Sequence, residues 1–300
     1  MSLREAVRRQ YGKRVAAFEK YRDVYRLRLA GHGNRCLKPS GSNERDAIYL
    51  SRVYRHLAQK GFNRGPRTDL TTRGKMYFEW DGTYYMLTKW INGRPPRLKK
   101  KKEWRQAVAL LARFHRTAEG LDTADAPPSR LRYDGLQHQV EQYRQRLEKE
   151  LNISRLLAMC DLAAERLNDP LAKEAVQKEK DAGAFTHGDY NYPNLVLDSQ
   201  RRLHMIDFEN SSHSPRMSDL AHLLHRNCGW DAERTLEAVR LYHKHRQLSI
   251  QDRHLLFALL LIPYPVIRKL RLGKRAGTGR IPVPSSQTIN KYVRGLRKLL

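Results

Sequence analysis

Apolar and polar residues alternate along Val24-Tyr25-Arg26-Leu27-Arg28-Leu29, the two-residue period of a half-buried strand. The glycine-rich turn Ala30-Gly31-His32-Gly33-Asn34 follows, and Arg35 to Lys38 returns as the partner strand. Ahead of this hairpin, Arg14 to Lys20 is predicted as a short helix. A longer helix is predicted from about Asn43 to Lys60, because Ala47, Leu50, Tyr54 and Leu57 recur on one face and Gly61 can stop it. Met76 to Trp80 and Thr83 to Trp90 flank Asp81-Gly82, a dipeptide suited to a primed hairpin turn.

From Lys101 the period changes to helical. Trp104, Val108, Leu111, Phe114 and His115 mark one apolar face. Leu136 to about Asn168 reads as one long helix or two, and Asp231 to Gln247, Asp252 to Leu261 and Thr288 to Leu300 as further helices. Two short apolar strands, Leu195 to Leu197 and Leu203 to Ile206, interrupt this series around the polar turn Asp198 to Arg202. Arg271 to Ser286, rich in Gly, Pro and basic residues, is predicted to be a mobile loop. The sum is an α+β chain. A small sheet-plus-helix unit occupies residues 1–92, and a larger, mostly helical unit occupies 93–300.

Within this framework the residues around the short hairpin of the second unit carry chemistry. His187-Gly188-Asp189 is followed by Asn194 and, after the short hairpin, by Asp207-Phe208-Glu209. Phosphoryl transfer from a metal–nucleotide complex needs few side chains, because positioning and charge neutralisation supply most of the catalysis. One carboxylate accepts the proton of the attacking hydroxyl, and an amide and a second carboxylate hold metal ions against the phosphates. Asp189, Asn194 and Asp207 are the right residue types in the right order for those tasks. Taken singly, each could equally cap a turn, the commonest work of Asp and Asn.

These residues, together with Arg35-Cys36-Leu37-Lys38, Trp90-Ile91-Asn92-Gly93-Arg94, Leu111-Ala112-Arg113-Phe114-His115 and Ser218-Asp219-Leu220-Ala221, resemble the aminoglycoside phosphotransferase-like branch of the protein-kinase fold. Within that branch the likeness is greatest to the spore coat protein S-type family, chiefly through the segment 90–94 and the runs 74–77 and 85–87. The resemblance implies a bilobal fold, with a nucleotide-binding lobe (1–92) and a catalytic and acceptor lobe (93–300). It implies ATP and Mg²⁺ as cofactors, with Asp189 as base and Asn194 and Asp207 as metal ligands. Lys38 would neutralise the α- and β-phosphates, with Glu44 as its carboxylate partner. The backbone of Trp90, Ile91 and Asn92 would meet adenine. His187 would orient the loop and Asp219 anchor it. Glu209, which stands where the family has glycine, reads as a surface charge or a group near the metal. One departure is conspicuous: Glu19-Lys20-Tyr21-Arg22-Asp23, expected to cover the phosphates, contains no glycine to let backbone amides approach them. That favours, as an alternative, a slow or inactive kinase-fold structural protein of the spore coat.

Composition limits the partners. Fifty-eight Lys+Arg against 31 Asp+Glu give a net charge of +27, with seven bases and one acid between Arg94 and Arg105 and no acid after Asp252. Such charge speaks to partners, not to fold. It repels a polycationic aminoglycoside and favours either a solvated surface or an anionic partner, such as a polymer or spore-coat proteins. No nucleic-acid module accompanies the charge. No apolar run has the length of a membrane span, no secretory leader is visible, and Cys36, Cys160 and Cys228 form neither a disulfide framework nor a zinc spacing. The expected location is therefore cytoplasmic, with deposition on the spore coat as the resemblance's addition. The acceptor is expected to be a hydroxyl-bearing molecule that the sequence does not identify.

Overall fold

The computed structural model describes residues 1–41, 43–276 and 281–300. The chain forms two compact units, the first comprising Met1–Pro96, Leu121–Arg130 and Tyr192–Ser211, the second Arg97–Gly120, Leu131–Asn191 and Ser212–Leu300.

The first unit is built on an antiparallel five-stranded sheet of order β1-β2-β3-β5-β4, from β1 (Val15–Tyr21), β2 (Val24–Leu29), β3 (Gly33–Pro39), β4 (Tyr77–Trp80) and β5 (Thr83–Lys89). Helix α1 (Leu3–Tyr11) lies against it. Ser2 and Glu5 form a capping box at its start, and Gly12 closes it in the left-handed conformation. Val7, Tyr11, Leu27, Leu29, Leu37, Phe78 and Leu87 form the shared core, with Tyr11 edge-on to Phe78 at 5.8 Å. The helix expected over Arg14–Lys20 is therefore strand β1. Its residues pair with β2 from Val15↔Leu29 to Tyr21↔Val24, and the helix they were assigned to lies one segment earlier. Sheet pairing overrides the weak local helical preference here. The Asp81-Gly82 turn is as expected, with φ of 50° and 67° at its two central residues.

Helix α2 (Glu44–Gln59) is capped by Asn43, whose side chain accepts from the Asp46 amide. Arg130 pairs with the buried Asp46 at 2.9 Å and donates to the backbone carbonyls of Glu209 and Ser211. These bonds, and the β-bridge between Arg94 and Leu197, bring segments 121–130 and 192–211 into the first unit, beyond the expected 1–92. The hairpin β7 (Leu195–Leu197) and β8 (Leu203–Met205) is formed as expected, its turn pinned by Asp198, which accepts from Arg202 and faces His204 at 2.9 Å. Gly93 touches this hairpin so closely that a Cβ would fall 2.4 Å from the Leu197 carbonyl oxygen. Gly93→Ala should accordingly cost about 1–3 kcal/mol through overpacking against backbone. Urea unfolding checks this, and an unchanged midpoint would contradict it.

The second unit is mostly helical. It contains α3 (Lys101–Thr117), α4 (Leu136–Glu150), α5 (Ser154–Leu167), α6 (Pro170–Asp181), α7 (Met217–Asn227), α8 (Ala232–His245), α9 (Ile250–Leu261), α10 (Tyr264–Ala276) and α11 (Ser286–Leu296). A two-stranded ladder joins β6 (Phe185–Thr186) to β9 (Ser212–His213). Helix α9 is apolar nearly all round, with Leu255 through Leu261 buried, as befits a helix surrounded by others. The ion pair of Arg216 with Glu179, at 2.6 Å and almost fully buried, ties the start of α7 to α6. The mobile loop expected over Arg271–Ser286 is helix α10 as far as Ala276, and its residues 277–280 lie outside the described residues. No helix among the described residues is long and apolar enough to cross a membrane.

Candidate active site

In the first unit the side chains of chemical interest converge on Lys38. Strand β3 carries it opposite Met86 of β5, and its Nζ lies 2.5 Å from Asp207 Oδ1 and 2.7 Å from Glu209 Oε2. Burial works against the lysine's charge, but Glu209 and Asp207 together hold its pKa above the ordinary value. Burial, reinforced by the hydrogen bond that the protonated Glu209 carboxyl gives to the neighbouring Asp207, pushes Glu209 up to about 8. Lys38 does not take Glu44 as its partner. Glu44 occupies the first position of α2, half exposed, and accepts from the Tyr77 hydroxyl at 2.9 Å. The buried carboxylate of that first turn is Asp46, one step further round the helix, and it serves Arg130. Glu209 is the site residue that the sequence reading undervalued. The signal was its position directly after Asp207-Phe208, where an acid has little reason to be unless something basic faces it.

Backbone geometry sets these carboxylates. Asp207 is left-handed, with φ 70° and ψ 64°, and Phe208 is fully buried with its ring edge-on to Tyr54 of α2 at 5.6 Å. The buried Asn194 ends a short 3₁₀ turn, and its carbonyl accepts from the Ile206 amide, so Asn194 and Asp207 are fixed by adjoining backbone. Asp207 and Glu209 offer hard oxygen donors of the sort that hold Mg²⁺ through one or two carboxylates. Among the described residues no group of three or more His, Cys, Asp or Glu is preassembled for a metal. The segment Trp90-Ile91-Asn92 follows β5, which ends at Lys89, and has no regular secondary structure. The Trp90 amide is committed to the Asn34 carbonyl, and its ring meets Tyr21 edge-on and lies under Arg26 at 5.1 Å. The glycine-free Glu19–Asp23 segment is mostly strand. Only Arg22 and Asp23 form the turn, with Arg22 at φ 54°, so few backbone amides are free to cradle an anion there.

In the second unit the loop after β6 presents Asp189. Asp219 of α7 accepts from the backbone amides of His187 at 2.7 Å and Gly188 at 3.0 Å, and also faces His115 at 3.3 Å. His187 is buried, and its Nδ1 accepts from the Asp189 amide. Tyr190, fully buried, donates to the Ala107 carbonyl of α3. With both neighbours fixed, the Asp189 side chain, 40% exposed, turns to Arg226 of α7 at 2.8 Å. That contact was not legible in the sequence, since Arg226 belongs to no part of the motif.

Two further histidines on α7 are neutral inside the fold. Burial depresses both His222 and His225 from 6.5 to about 4. The unfolded chain takes up these protons near pH 6.5 and the folded chain only near pH 4, so stability is complete above the first value and falls as pH drops through the window. Each histidine contributes a slope of up to about 1.4 kcal/mol per pH unit. Urea titrations at pH 7 and pH 5 should show a clear loss at pH 5, and a flat profile would refute the assignment.

A five-stranded sheet with a lysine bound to the carboxylates after a short hairpin, and a His-Gly-Asp loop anchored by an aspartate, belong to the kinase-like aminoglycoside phosphotransferase fold. Residues 17–251 match the phosphotransferase enzyme family, and the chain belongs to that family. Among solved structures, an aminoglycoside phosphotransferase from Alicyclobacillus acidocaldarius superposes with a TM-score of 0.74 at 16% identity, covering 100% of this chain and 92% of its own. Amicoumacin kinase in complex with AMP-PNP, Ca²⁺ and Ami gives 0.55 at 17% identity, covering 98% of this chain and 91% of its own. AMP-bound spectinomycin phosphotransferase gives 0.54 at 12%, covering 99% and 96%.

Proposed function

We propose that the protein is an ATP- and Mg²⁺-dependent phosphotransferase acting on a hydroxyl group. The observation that carries this reading is the meeting of Lys38 with Asp207 and Glu209, residues about 170 positions apart whose charges together suit the handling of phosphates and a cation. In this reading Asp189 accepts the acceptor's hydroxyl proton. That oxygen bonds to the transferred phosphorus while the bond to the nucleoside diphosphate breaks, and the diphosphate departs. Lys38 neutralises phosphate oxygens, and Asp207 and Asn194 hold the cation, with Glu209 beside them. Mg²⁺ when bound supplies charge neutralisation at the phosphates. The nucleotides in the solved relatives' complexes support the cofactor class. The first unit, 1–92 with its added segments, is assigned nucleotide binding, and the second is assigned the acceptor.

The test is thermal unfolding with ATP and Mg²⁺. At a ligand concentration of about 100 times Kd, binding adds roughly 2.7 kcal/mol of stability, which a melting curve resolves. No shift, and no turnover over a panel of hydroxyl compounds, would overturn the reading. The tight Arg22-Asp23 turn supports a second reading, in which the fold is retained as a basic scaffold of the bacterial spore coat that binds anionic partners. An Asp189→Asn strain separates the two, because a scaffold builds a normal coat with the variant and an enzyme does not.

A further inference from the structure

The second unit holds a cavity of about 490 Å³ among α4, α7, the start of α10 and the loop before Asp189, with Gly188 in its wall. Its polar groups are of a particular kind. His225 is 6% exposed, and its Nε2 lies 3.0 Å from the Leu259 carbonyl, which can only accept. The proton of the neutral ring is therefore on Nε2, and Nδ1 is a bare acceptor. Among the described residues Nδ1 has no partner, and the Ser218 hydroxyl, also in the wall, has none. A buried acceptor left without a donor costs about 1–3 kcal/mol, and a ligand hydroxyl that reached these two atoms through a turn of their side chains would recover that cost.

Charge narrows the class further. The lining includes two exposed arginines, Arg132 and Arg271, and a single carboxylate, Asp219. Both Asp219 oxygens are occupied by the His187 and Gly188 amides and by His115. Among the described residues of the lining, a polyamine ligand would thus meet guanidinium groups and no carboxylate oxygen without a partner. Tyr143 and Tyr264, with ring centroids 6.3 Å apart, supply flat apolar surface of the type on which a sugar ring rests.

We propose that this cavity binds a hydroxylated ring bearing a carboxylate or phosphate, a sugar acid or sugar phosphate, and not a polycationic aminoglycoside. Placed beside Gly188, one residue before Asp189, the bound ring would be the phosphate acceptor, a role that rests on the phosphotransferase reading. The binding itself does not rest on it. The arginines take the anion as charge-assisted donors, while His225 and Ser218 take ring hydroxyls.

Calorimetric titration of the full chain, without nucleotide, tests the assignment using glucuronate, glucose 6-phosphate, glucose and kanamycin as probes. We expect one or both acids to bind roughly ten-fold or more tighter than glucose, with kanamycin not binding. The two acids separate a carboxylate from a phosphate preference. The exposed double change Arg132→Ser with Arg271→Ser should remove the preference over glucose, and His225→Leu should weaken all the sugars. Equal affinity for glucose and the acids, binding of kanamycin, a preference that survives the double change, or no binding by any sugar would overturn the proposal. Binding of glucuronate by a protein that turns over no ATP would uphold the cavity and fail the phosphotransferase reading alone, and turnover of ATP without sugar-acid binding would do the reverse.

Discussion

Asp189→Asn is expected to lower phosphoryl transfer by about 10²–10⁴-fold while leaving the fold in place, because the amide cannot take the hydroxyl proton that the carboxylate removes. The substitution is nearly isosteric, and the side chain is 40% exposed. The loop's position is set by neighbours that the change does not touch, namely the His187 and Gly188 amides on Asp219 and the Tyr190 hydroxyl on Ala107. The change leaves behind Arg226, its ion-pair partner, on a pair open enough to water that its loss should cost no more than about 1 kcal/mol. Turnover of ATP over an acceptor panel, with a melting curve on the same sample, checks both halves. Wild-type turnover in the variant would remove Asp189 from the chemistry. A collapsed melting curve would mean the loop is held through Asp189 after all.

Asp219→Ala should be the most destabilising single change at the site, by about 3–5 kcal/mol. Asp219 is almost completely buried and its pKa is held low. Burial alone would raise it, but His115, His187 and the loop amide outweigh that. Alanine leaves two amide donors and the fully buried His115 without their acceptor, each a loss of desolvated polar interaction. Asp219→Asn keeps one acceptor oxygen and should recover part of the loss. Urea unfolding of the three proteins ranks them, and equal midpoints would show that Asp219 does not anchor the loop. Turnover should fall with stability, since it is the loop carrying Asp189 that loosens.

How far the sequence discloses this depends on whether the deciding interaction is local. The Asp81-Gly82 hairpin, helix α2 and the hairpin between Asn194 and Asp207 were readable because turn residues and periodicity lie within the segment itself. Arg14–Lys20 was misread because its strand exists by pairing with Val24–Leu29. Helix α6 was passed over for lack of a strong apolar stripe, and the end of α10 was read as loop from the Gly, Pro and basic residues that follow it, although Val266, Ile267 and Leu270 form a buried face. At the site, Lys38 and Asp207 came from motif order. Glu44 was chosen as the lysine's partner by its place on a helix, whereas the choice is made by residues 169 and 171 positions away. Arg226 on Asp189 and the two buried histidines of α7 were hidden for the same reason. A long polar side chain names no partner until the packing does.

The Lys38 cluster has one more consequence. Two carboxylates held close would repel one another and keep strand β3 and the Asp207–Glu209 segment apart, yet a primary ammonium sits between them. The protein thus carries its own tethered counter-ion. In the proposed reaction Asp207 and Glu209 would be the groups to hold a divalent cation, and Lys38 the group to neutralise phosphate oxygens. Removing that counter-ion by Lys38→Ala would leave the two carboxyl groups facing one another and loosen the contact between strand β3 and the Asp207–Glu209 segment.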